Sequence, residues 1–252
     1  MIQVLVSGCN GKMGRIVTQL LEQNDAFMVL GGYDRNKKED YPYCTFINPD
    51  DITNHPDIII DFSVPEATIT LLNYAVTKKV PMVIATTGFT NEQEQFIQEA
   101  SLHIPIFKAS NMSFDIYLMG ELVSQVASIL SNTDIEITET HHNRKIDSPS
   151  GTALFLADKI KEARPDLVYN FSRMAQKKKR EPNEIGFSSI RGGNIVGEHT
   201  VQFFGPNETL EIKHTSYSRE IFAEGALKAA QFLVSQKEPR MYSMSDLAGT
   251  FK

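Results

Sequence analysis

The stretch Ile2-Gln3-Val4-Leu5-Val6-Ser7-Gly8-Cys9-Asn10-Gly11-Lys12-Met13-Gly14 decides the fold, because a short apolar run passes directly into a loop of closely spaced glycines. Between a strand and a helix, such a loop is where a dinucleotide pyrophosphate binds: the glycines allow close approach and the helix start offers free N–H groups. The spacing is G-x-x-G-x-x-G rather than the more usual G-x-G-x-x-G, so a plain glycine turn remains an alternative.

The first hundred-odd residues alternate apolar runs with amphipathic segments. The further runs are Phe27–Tyr33, Ile58–Phe62, Met82–Ala85 and Ile104–Phe107. Helical patterns lie between most of them, for example Glu66–Lys79 and Asn91–Ser101, the second with Asn91 as N-cap and Glu94 as its capping-box partner. Continuous apolar runs separated by helices predict a parallel sheet covered on both faces, an α/β domain of Rossmann type.

Two charged residues after the second run bear on the choice of cofactor. Asp34 lies 20 residues beyond Gly14, where an acid can accept hydrogen bonds from the adenosine ribose. Arg35, beside it, can pair with a 2′-phosphate. An acid alone at this position indicates NADH, and a cation alone indicates NADPH. Because the chain has both an acid and a cation here, we expect NADH and/or NADPH as cofactor, and use of both is favoured.

The pattern changes near residue 112 and predicts a second domain of α+β type with a mixed sheet. An apolar helical face is followed by an alternating strand at Asp134–Thr140 and by strand-like runs at Gly186–Ile190, Ile195–Phe204 and Thr209–Lys213. A last amphipathic helix around Phe222–Leu233 is expected to pack on the first domain. We therefore assign residues 1–112 with 220–252 to a dinucleotide-binding domain and residues 113–219 to a substrate-binding domain.

The segment His141-His142-Asn143-Arg144-Lys145 carries the main chemical signal. It brings two imidazoles, a guanidinium and an ammonium together with no acid among the five residues. If the strand continues through both histidines, their side chains point to opposite faces and have different tasks. Histidine suits proton transfer near neutral pH. The alternative is that the histidines merely cap the strand or pack.

Downstream, Pro149 precedes a predicted helix whose first turn contains Ser150, Gly151 and Thr152. Hydroxyl groups and unpaired backbone N–H groups at a helix start bind anions, and a carboxylate is the natural ligand. Together with Lys145, this turn can hold a substrate that bears two carboxylates. Helices that begin in this way are also common without any ligand.

Composition narrows the class of protein. The 252 residues carry a net charge of −6, which argues against the broad basic surface of a nucleic-acid-binding protein. Two cysteines, Cys9 and Cys44, suggest neither a disulfide framework nor a zinc site, and we expect no metal. No apolar run approaches the roughly 20 residues that span a bilayer, so we expect a cytoplasmic protein with no membrane partner.

The unbroken run from Glu139 to Ala153 resembles the E-x-H-H-x-x-K-x-D-x-P-S-G-T-A signature of the 4-hydroxy-tetrahydrodipicolinate reductase family. The glycine loop fits the same family, as do segments in order along nearly the whole chain: Ile60–Ser63 with Pro65, Thr86–Phe89, Asn111 with Ser113, and Arg191–Glu198 with His199.

The resemblance implies an NAD(P)H-dependent oxidoreductase that reduces 4-hydroxy-tetrahydrodipicolinate to tetrahydrodipicolinate in diaminopimelate and lysine biosynthesis. His141 is then the proton donor or acceptor, Lys145 a second proton donor, and His142 with Gly151 and Thr152 bind substrate. The implied cofactor-binding residues are Gly8, Cys9, Asn10, Gly11, Lys12, Met13, Asp34, Arg35, Ala85, Thr86, Thr87, Ala109, Ser110, Asn111 and Met112. A homotetramer assembled through the sheet of the substrate domain is also implied.

Four residues depart from the family pattern. Ala85 replaces a glycine before the paired threonines, Val64 replaces an arginine, and Asp115 and Tyr117 replace a glycine and an asparagine.

Two other functions stay open. One is another two-domain nicotinamide-dependent oxo-acid or amino-acid dehydrogenase, which would not explain the histidine-lysine segment. The other is a non-catalytic redox sensor, which would not need His141 and Lys145.

Overall fold

The structure, a computed structural model, describes residues 1–36, 40–173 and 176–250. The chain divides into two compact units. One comprises Met1–Ser113 with Glu220–Lys252, and the other is the continuous segment Phe114–Arg219.

The first unit is built on a seven-stranded sheet in the order β12-β6-β5-β4-β1-β2-β3, and every neighbouring pair is parallel. The strands are β1 Ile2–Ser7, β2 Phe27–Tyr33, β3 Thr45–Phe46, β4 Ile58–Asp61, β5 Met82–Ile84, β6 Ile106–Lys108 and β12 Met241–Tyr242. The helices are α1 Lys12–Glu22, α2 Pro65–Lys78, α3 Asn91–Ala100, α6 Glu220–Val234 and α7 Met244–Gly249, with a 3-10 turn at Pro49–Asp51.

The central strands are buried on both faces. Val4, Leu5 and Val6 of β1 and Ile58–Ile60 of β4 are fully enclosed. Because helices cover both faces of the sheet, each central strand has apolar side chains on both sides, and this explains why its sequence is a continuous apolar run. The predicted α/β class is confirmed, and α6 packs against α1, β4, β5 and β6 as expected.

One local prediction was wrong by a residue. The N-cap of α3 is Thr90, whose hydroxyl accepts the Gln93 N–H, while the Gln93 side chain accepts the Thr90 N–H. Asn91 is instead the first helical residue. Thr90 and Gln93 satisfy the capping-box pattern as well as Asn91 and Glu94 do, so sequence alone did not separate the two.

The second unit contains a five-stranded mixed sheet in the order β11-β10-β7-β9-β8. The strands are β7 Asp134–His141, β8 Val168–Asn170, β9 Glu184–Arg191, β10 Gly197–Phe204 and β11 Thr209–Ser216. The helices are α4 Phe114–Ile129 and α5 Gly151–Ala163. β7 pairs antiparallel with β10 and parallel with β9, which confirms the predicted mixed sheet.

Alternation along β7 gives the second sheet two different faces. Ile135 and Ile137 pack in one cluster with residues of α4 and α5, such as Val123 and Leu156. Glu139 and His141 follow on the same helix-covered face and are also buried. The other face presents Glu136, Thr138 and Thr140 from β7, Ser188 and Ile190 from β9, and Thr200, Gln202 and Phe204 from β10.

Candidate active site

The glycine loop folds into a cradle in which side chains have no room. Gly8 has φ +73°, and a Cβ there would lie 2.4 Å from the Phe62 carbonyl oxygen. A Cβ on Gly14 would lie 2.2 Å from the Gly8 carbonyl oxygen. Helix α1 follows with Gly11 at its N-cap, and glycine has no side chain to occupy the first N–H groups of the helix. The loop therefore fits a pyrophosphate, whose oxygens bind such groups.

A cleft of about 280 Å³ opens beside this loop. Five of its lining residues were predicted, namely Gly8, Asn10, Gly11, Asp34 and Arg35. Its other lining residues, which sequence reasoning did not assign to the site, are Tyr33, Asn36, Phe62, Ser63, Val64 and Ala67.

Asp34 has a structural task within the loop that carries it. Its Oδ2 accepts the Asn10 N–H at 3.1 Å and its Oδ1 accepts the Asn36 N–H at 3.0 Å. The carboxylate thereby joins the glycine loop to the end of β2. Arg35 is exposed next to it, so its guanidinium is accessible to an anionic group in the cleft.

Cys9 differs from its neighbours because its thiol is packed away. Its side chain is fully enclosed, and a Cβ on Gly32 would lie 2.3 Å from its Sγ. Burial, with the nearby charge of Asp34, raises the pKa of the thiol to about 11. Cys9 therefore lines the loop through its backbone. Lys12 is exposed and Met13 half-buried in the first turn of α1.

A buried carboxylate, which sequence reasoning missed, organises the neighbouring loops. Asp61, at the end of β4, accepts hydrogen bonds from the hydroxyls of Ser63 at 2.6 Å, Thr68 at 2.6 Å and Thr86 at 2.8 Å. The Thr86 hydroxyl also accepts the Ser63 N–H at 2.9 Å. The available signal was an acid at the end of an otherwise apolar strand, where a buried charge needs partners.

The remaining predicted cofactor residues follow β5 and β6. Ala85, Thr86 and Thr87 come directly after β5, and Ala109, Ser110, Asn111 and Met112 come directly after β6. Since carboxyl ends of parallel strands meet at one edge of a sheet, both segments lie at the edge where β1 leads into the glycine loop. Thr86 and Met112 are buried, so their side chains are part of the scaffold, whereas Thr87 and Ser110 are exposed.

In the second unit, His141 is held by an acid two residues earlier on the same strand. Its Nδ1 lies 2.5 Å from Oε2 of Glu139. Arg191 donates to both carboxylate oxygens, from NH1 to Oε2 at 2.8 Å and from NH2 to Oε1 at 2.7 Å. Burial alone would raise the pKa of Glu139, but the hydrogen bonds from His141, Arg191 and Ser189 hold it well below its ordinary value.

Counter-charges stand just outside the basic segment. Glu139 pairs with His141, and Lys145 Nζ lies 2.8 Å from Oδ1 of Asp147. No acid lies within the five-residue segment, and its acidic partners lie two residues beyond each end. β7 ends at His141, and His142 lies beyond it, half-buried, with a pKa lowered by partial burial and by the charge of Arg144.

The start of α5 has the predicted form, but its three residues play different parts. Ser150 is the N-cap: its hydroxyl accepts the Ala153 N–H and contacts Nε2 of His199 at 2.8 Å, with 2% of the residue exposed. Its hydroxyl is a structural cap rather than an exposed anion ligand. Gly151 is exposed, and a Cβ there would meet no atom of the described residues within 4 Å. Thr152 is half-buried in the same turn.

His199 is a buried neighbour of His141 that sequence reasoning did not place in the site. It lies on β10 opposite Glu139, and its ring packs edge-on against His141 with centroids 5.1 Å apart. Burial, with the charge of His141, lowers its pKa to about 3, so its ring stays neutral. Its Nδ1 is buried without a hydrogen-bond partner among the described residues.

Glu139, His141 and His199 bring three potential metal ligands within 4.8 Å of one another. Arg191, however, donates to both oxygens of Glu139, and Ser150 holds Nε2 of His199. A dication would have to displace a guanidinium from the carboxylate, so the donor set fits proton transfer better than metal binding.

Two family profiles match nearly the whole chain. The dihydrodipicolinate reductase N-terminus matches residues 2–112, and the dihydrodipicolinate reductase C-terminus matches residues 115–248. The chain belongs to the dihydrodipicolinate reductase family. This confirms the resemblance predicted from sequence and, with it, the class of enzyme, an oxidoreductase that uses NADH or NADPH.

Relatives cover the same length. Proteins named 4-hydroxy-tetrahydrodipicolinate reductase from Caldanaerobacter subterraneus subsp. tengcongensis and Clostridium novyi are 46% and 43% identical, each over 98% of both chains. The solved structure of a dipicolinate-bound dihydrodipicolinate reductase from Paenisporosarcina sp. TG-14 is 25% identical, with a TM-score of 0.78 over 96% of this chain and 97% of that one.

More distant structures share the fold alone. A DAP dehydrogenase of C. glutamicum is 14% identical, with a TM-score of 0.58 over 96% of this chain and 92% of that one. Among the described residues of this family member, no helix is both long and apolar enough to cross a membrane.

Proposed function

We propose that this chain reduces 4-hydroxy-tetrahydrodipicolinate to tetrahydrodipicolinate, a step of diaminopimelate and lysine biosynthesis. One observation carries the proposal: in a member of this family, three features occur together in the second unit. They are His141 bonded to Glu139, Lys145 four residues further on, and the start of α5. These groups supply a proton donor and a carboxylate anchor within one unit. The relatives named 4-hydroxy-tetrahydrodipicolinate reductase support the choice of substrate.

The dinucleotide cleft of the first unit binds the cofactor. Gly8, Gly11 and the first N–H groups of α1 hold the pyrophosphate, Asp34 binds the adenosine ribose, and Arg35 accommodates a 2′-phosphate when NADPH is used. The remaining predicted residues, from Ala85–Thr87 and Ala109–Met112, line the cofactor further along the same sheet edge. When bound there, the nicotinamide would supply a hydride to C4 of the ring once the 4-hydroxyl group has left as water.

Proton transfer is the task of the second unit. Hydride addition leaves negative charge on the conjugated ring system, and a positioned acid must neutralise it. His141 has Nδ1 bonded to Glu139, so Nε2 is the nitrogen that donates the proton. Lys145, with one-fifth of its side chain exposed, is the second donor and also attracts a substrate carboxylate.

The carboxylates of the substrate are held by the same unit. Gly151 and Thr152 lie in the first turn of α5, where the helix dipole favours an anion. His142, just beyond β7, adds a further polar contact. Ser150 shapes this turn by capping it, so the predicted binding role of its hydroxyl is replaced by a positioning role.

We also propose that the chain forms a homotetramer through the outer face of the second sheet, as the family resemblance implies. That face presents short hydroxyl side chains at Thr138 and Thr200, and the exposed apolar Ile190 and Phe204, of which 52% and 37% is accessible. A sheet face of this composition suits packing against a second copy of itself.

A coupled assay tests the proposed reaction. A synthase generates the unstable substrate in the cuvette, and oxidation of NADH or NADPH is followed by absorbance. We expect turnover with this substrate and little with other oxo acids. Turnover with other oxo acids alone would favour a different dehydrogenase, and dinucleotide binding without any turnover would favour a redox sensor.

A further inference from the structure

Glu139 is the residue at which the separate parts of the proton-transfer site meet. Its Oε2 contacts Nδ1 of His141, and its Oε1 accepts the Ser150 N–H at 3.3 Å. Through one carboxylate, the strand that carries the proton donor is joined to the helix start that anchors the substrate. Arg191, on the neighbouring strand β9, donates hydrogen bonds to both carboxylate oxygens of Glu139.

Strand geometry explains why these groups converge. Residues two apart on a strand face the same side, so Glu139 and His141 are neighbours on the helix-covered face of β7. Parallel pairing sets Arg191 of β9 beside His141, and antiparallel pairing sets His199 of β10 beside Glu139. The carboxylate is 1% exposed, so its contacts act with little screening by water.

We propose that Glu139 is a positioning residue for His141: it fixes the proton of the neutral imidazole on Nδ1 and holds Nε2 toward the reacting ring. The inference rests on the proposed function and assigns a role to a residue outside the proposed substrate and cofactor contacts. In the step itself, the Nε2–H bond of the imidazolium breaks, the proton passes to the reduced ring, and Nδ1 keeps its proton against the carboxylate.

The surroundings of Nε2 agree with this orientation. A Cβ on Gly197, the first residue of β10, would lie 3.1 Å from Nε2 of His141. Any side chain at position 197 would crowd the nitrogen that has to exchange the proton. The neutral ring of His199 packs edge-on against His141, where a second charged imidazole would oppose formation of the imidazolium.

Arg191 keeps the carboxylate in place and ionised. A fork of two N–H groups on both oxygens fixes the plane of the carboxylate, which in turn fixes the ring of His141. A single-point contact, such as lysine would make, leaves that plane free to rotate. Arg191 therefore acts through Glu139 and is a positioning residue as well.

The first test is spectroscopic and needs no substrate. Histidine is labelled with ¹⁵N, and the His141 signals are assigned by their loss in His141→Asn. We expect the neutral imidazole of the wild-type protein to carry its proton on Nδ1. A proton on Nε2 would overturn the proposal even if every substitution at Glu139 prevented folding.

The second test compares Glu139→Gln with Glu184→Gln. Glu184 is a matched control, because it is also a buried carboxylate of this sheet held by an arginine, Arg173, but it has no histidine partner among the described residues. We expect Glu139→Gln to lower kcat by about tenfold to a hundredfold, with a smaller change in KM and loss of the preference for Nδ1. Glu184→Gln should leave kcat and the His141 signals as they are.

Two results would contradict the role of Glu139. One is a kcat within twofold of wild type in Glu139→Gln, and the other is a lower kcat with unchanged His141 signals, which a merely structural residue would give. Failure of the proposed function can be told apart from failure of the role of Glu139. If the proposed function is wrong, the wild-type protein itself shows no turnover in the coupled assay, whereas the tautomer of His141 can still be measured by its ¹⁵N signals.

Discussion

The hydroxyl of Ser150 lies 2.8 Å from Nε2 of His199, inside the second unit and out of contact with bulk water. This contact ties the N-cap of α5 to a strand whose histidine is kept neutral by burial. The pair therefore links the shape of the predicted carboxylate-binding turn to the protonation state of a buried ring.

The first prediction concerns stability against pH. The pKa of His199 is lowered to about 3 in the folded protein, whereas an unfolded histidine titrates near 6.5. Below pH 6.5 the unfolded chain gains a proton that the folded chain does not, so the stability present above that pH is lost as pH falls. His199 alone should lower the unfolding free energy by about 2 kcal/mol between pH 8 and pH 5.

Urea unfolding of wild type and His199→Gln at those two pH values measures this effect. The variant should lose less stability between pH 8 and pH 5 than wild type does. Glu139 does not interfere, since a carboxylate with a lowered pKa affects stability only below about pH 4.5. His103→Asn, at an exposed histidine, is the control and should match wild type. Equal pH dependence in wild type and His199→Gln would disprove burial of a neutral ring.

The second prediction concerns the two cofactors. Arg35→Ala should lower kcat/KM for NADPH by about tenfold or more, because it removes the cation proposed to pair with the 2′-phosphate. The value for NADH should stay within about twofold, since Asp34, which is proposed to bind the ribose, is unchanged. Initial rates with both cofactors decide, with Lys228→Ala as the control at an exposed lysine of the same unit. An equal loss with both cofactors would rule out this role for Arg35.

The third prediction concerns the proton donors. His141→Ala and Lys145→Ala should each lower kcat by at least about a hundredfold, while both variants still fold, as a cooperative thermal unfolding transition would show. Arg144→Ala is the matched control, because Arg144 is exposed between them and bonds to Asn143 and Asn194. A variant at either position with near-normal kcat would remove that residue from the mechanism.

The fourth prediction concerns assembly. Thr138→Arg places a charge in the middle of the outer face of the second sheet, beside Thr200 and Ser188. We expect light scattering to show a tetramer for wild type and a smaller species for the variant, because a buried unpaired charge is costly at an interface. Thr70→Arg, on an exposed position of α2, should remain tetrameric. A tetrameric Thr138→Arg would locate the interface elsewhere.

Local patterns predicted much of this molecule. The glycine loop, the alternation along β7 and the helix start after Pro149 each depend on residues close in sequence, and each was read correctly as a type of element. Asp34 was also placed correctly at the cleft, because the length of a strand-helix-strand unit fixes where the second strand ends.

Contacts between segments that are distant in the chain could not be predicted from the sequence. Arg191 meets Glu139 across 52 positions, and Ser150 meets His199 across 49. Both contacts depend on the register between strands, which a single sequence does not state. For the same reason the sequence did not show that three hydroxyls gather around Asp61.

The close contact between Gly225 of α6 and the Met112 carbonyl bears on how this chain is made. A Cβ on Gly225 would lie 1.7 Å from that oxygen, so the helix fits tightly against the end of the first long segment. α6 and β12 belong to the first unit, yet they follow the whole of the second in the chain. During synthesis on the ribosome, the unit that begins second is therefore complete first, and the dinucleotide-binding sheet gains its last strand, β12, only after the whole second unit has been made.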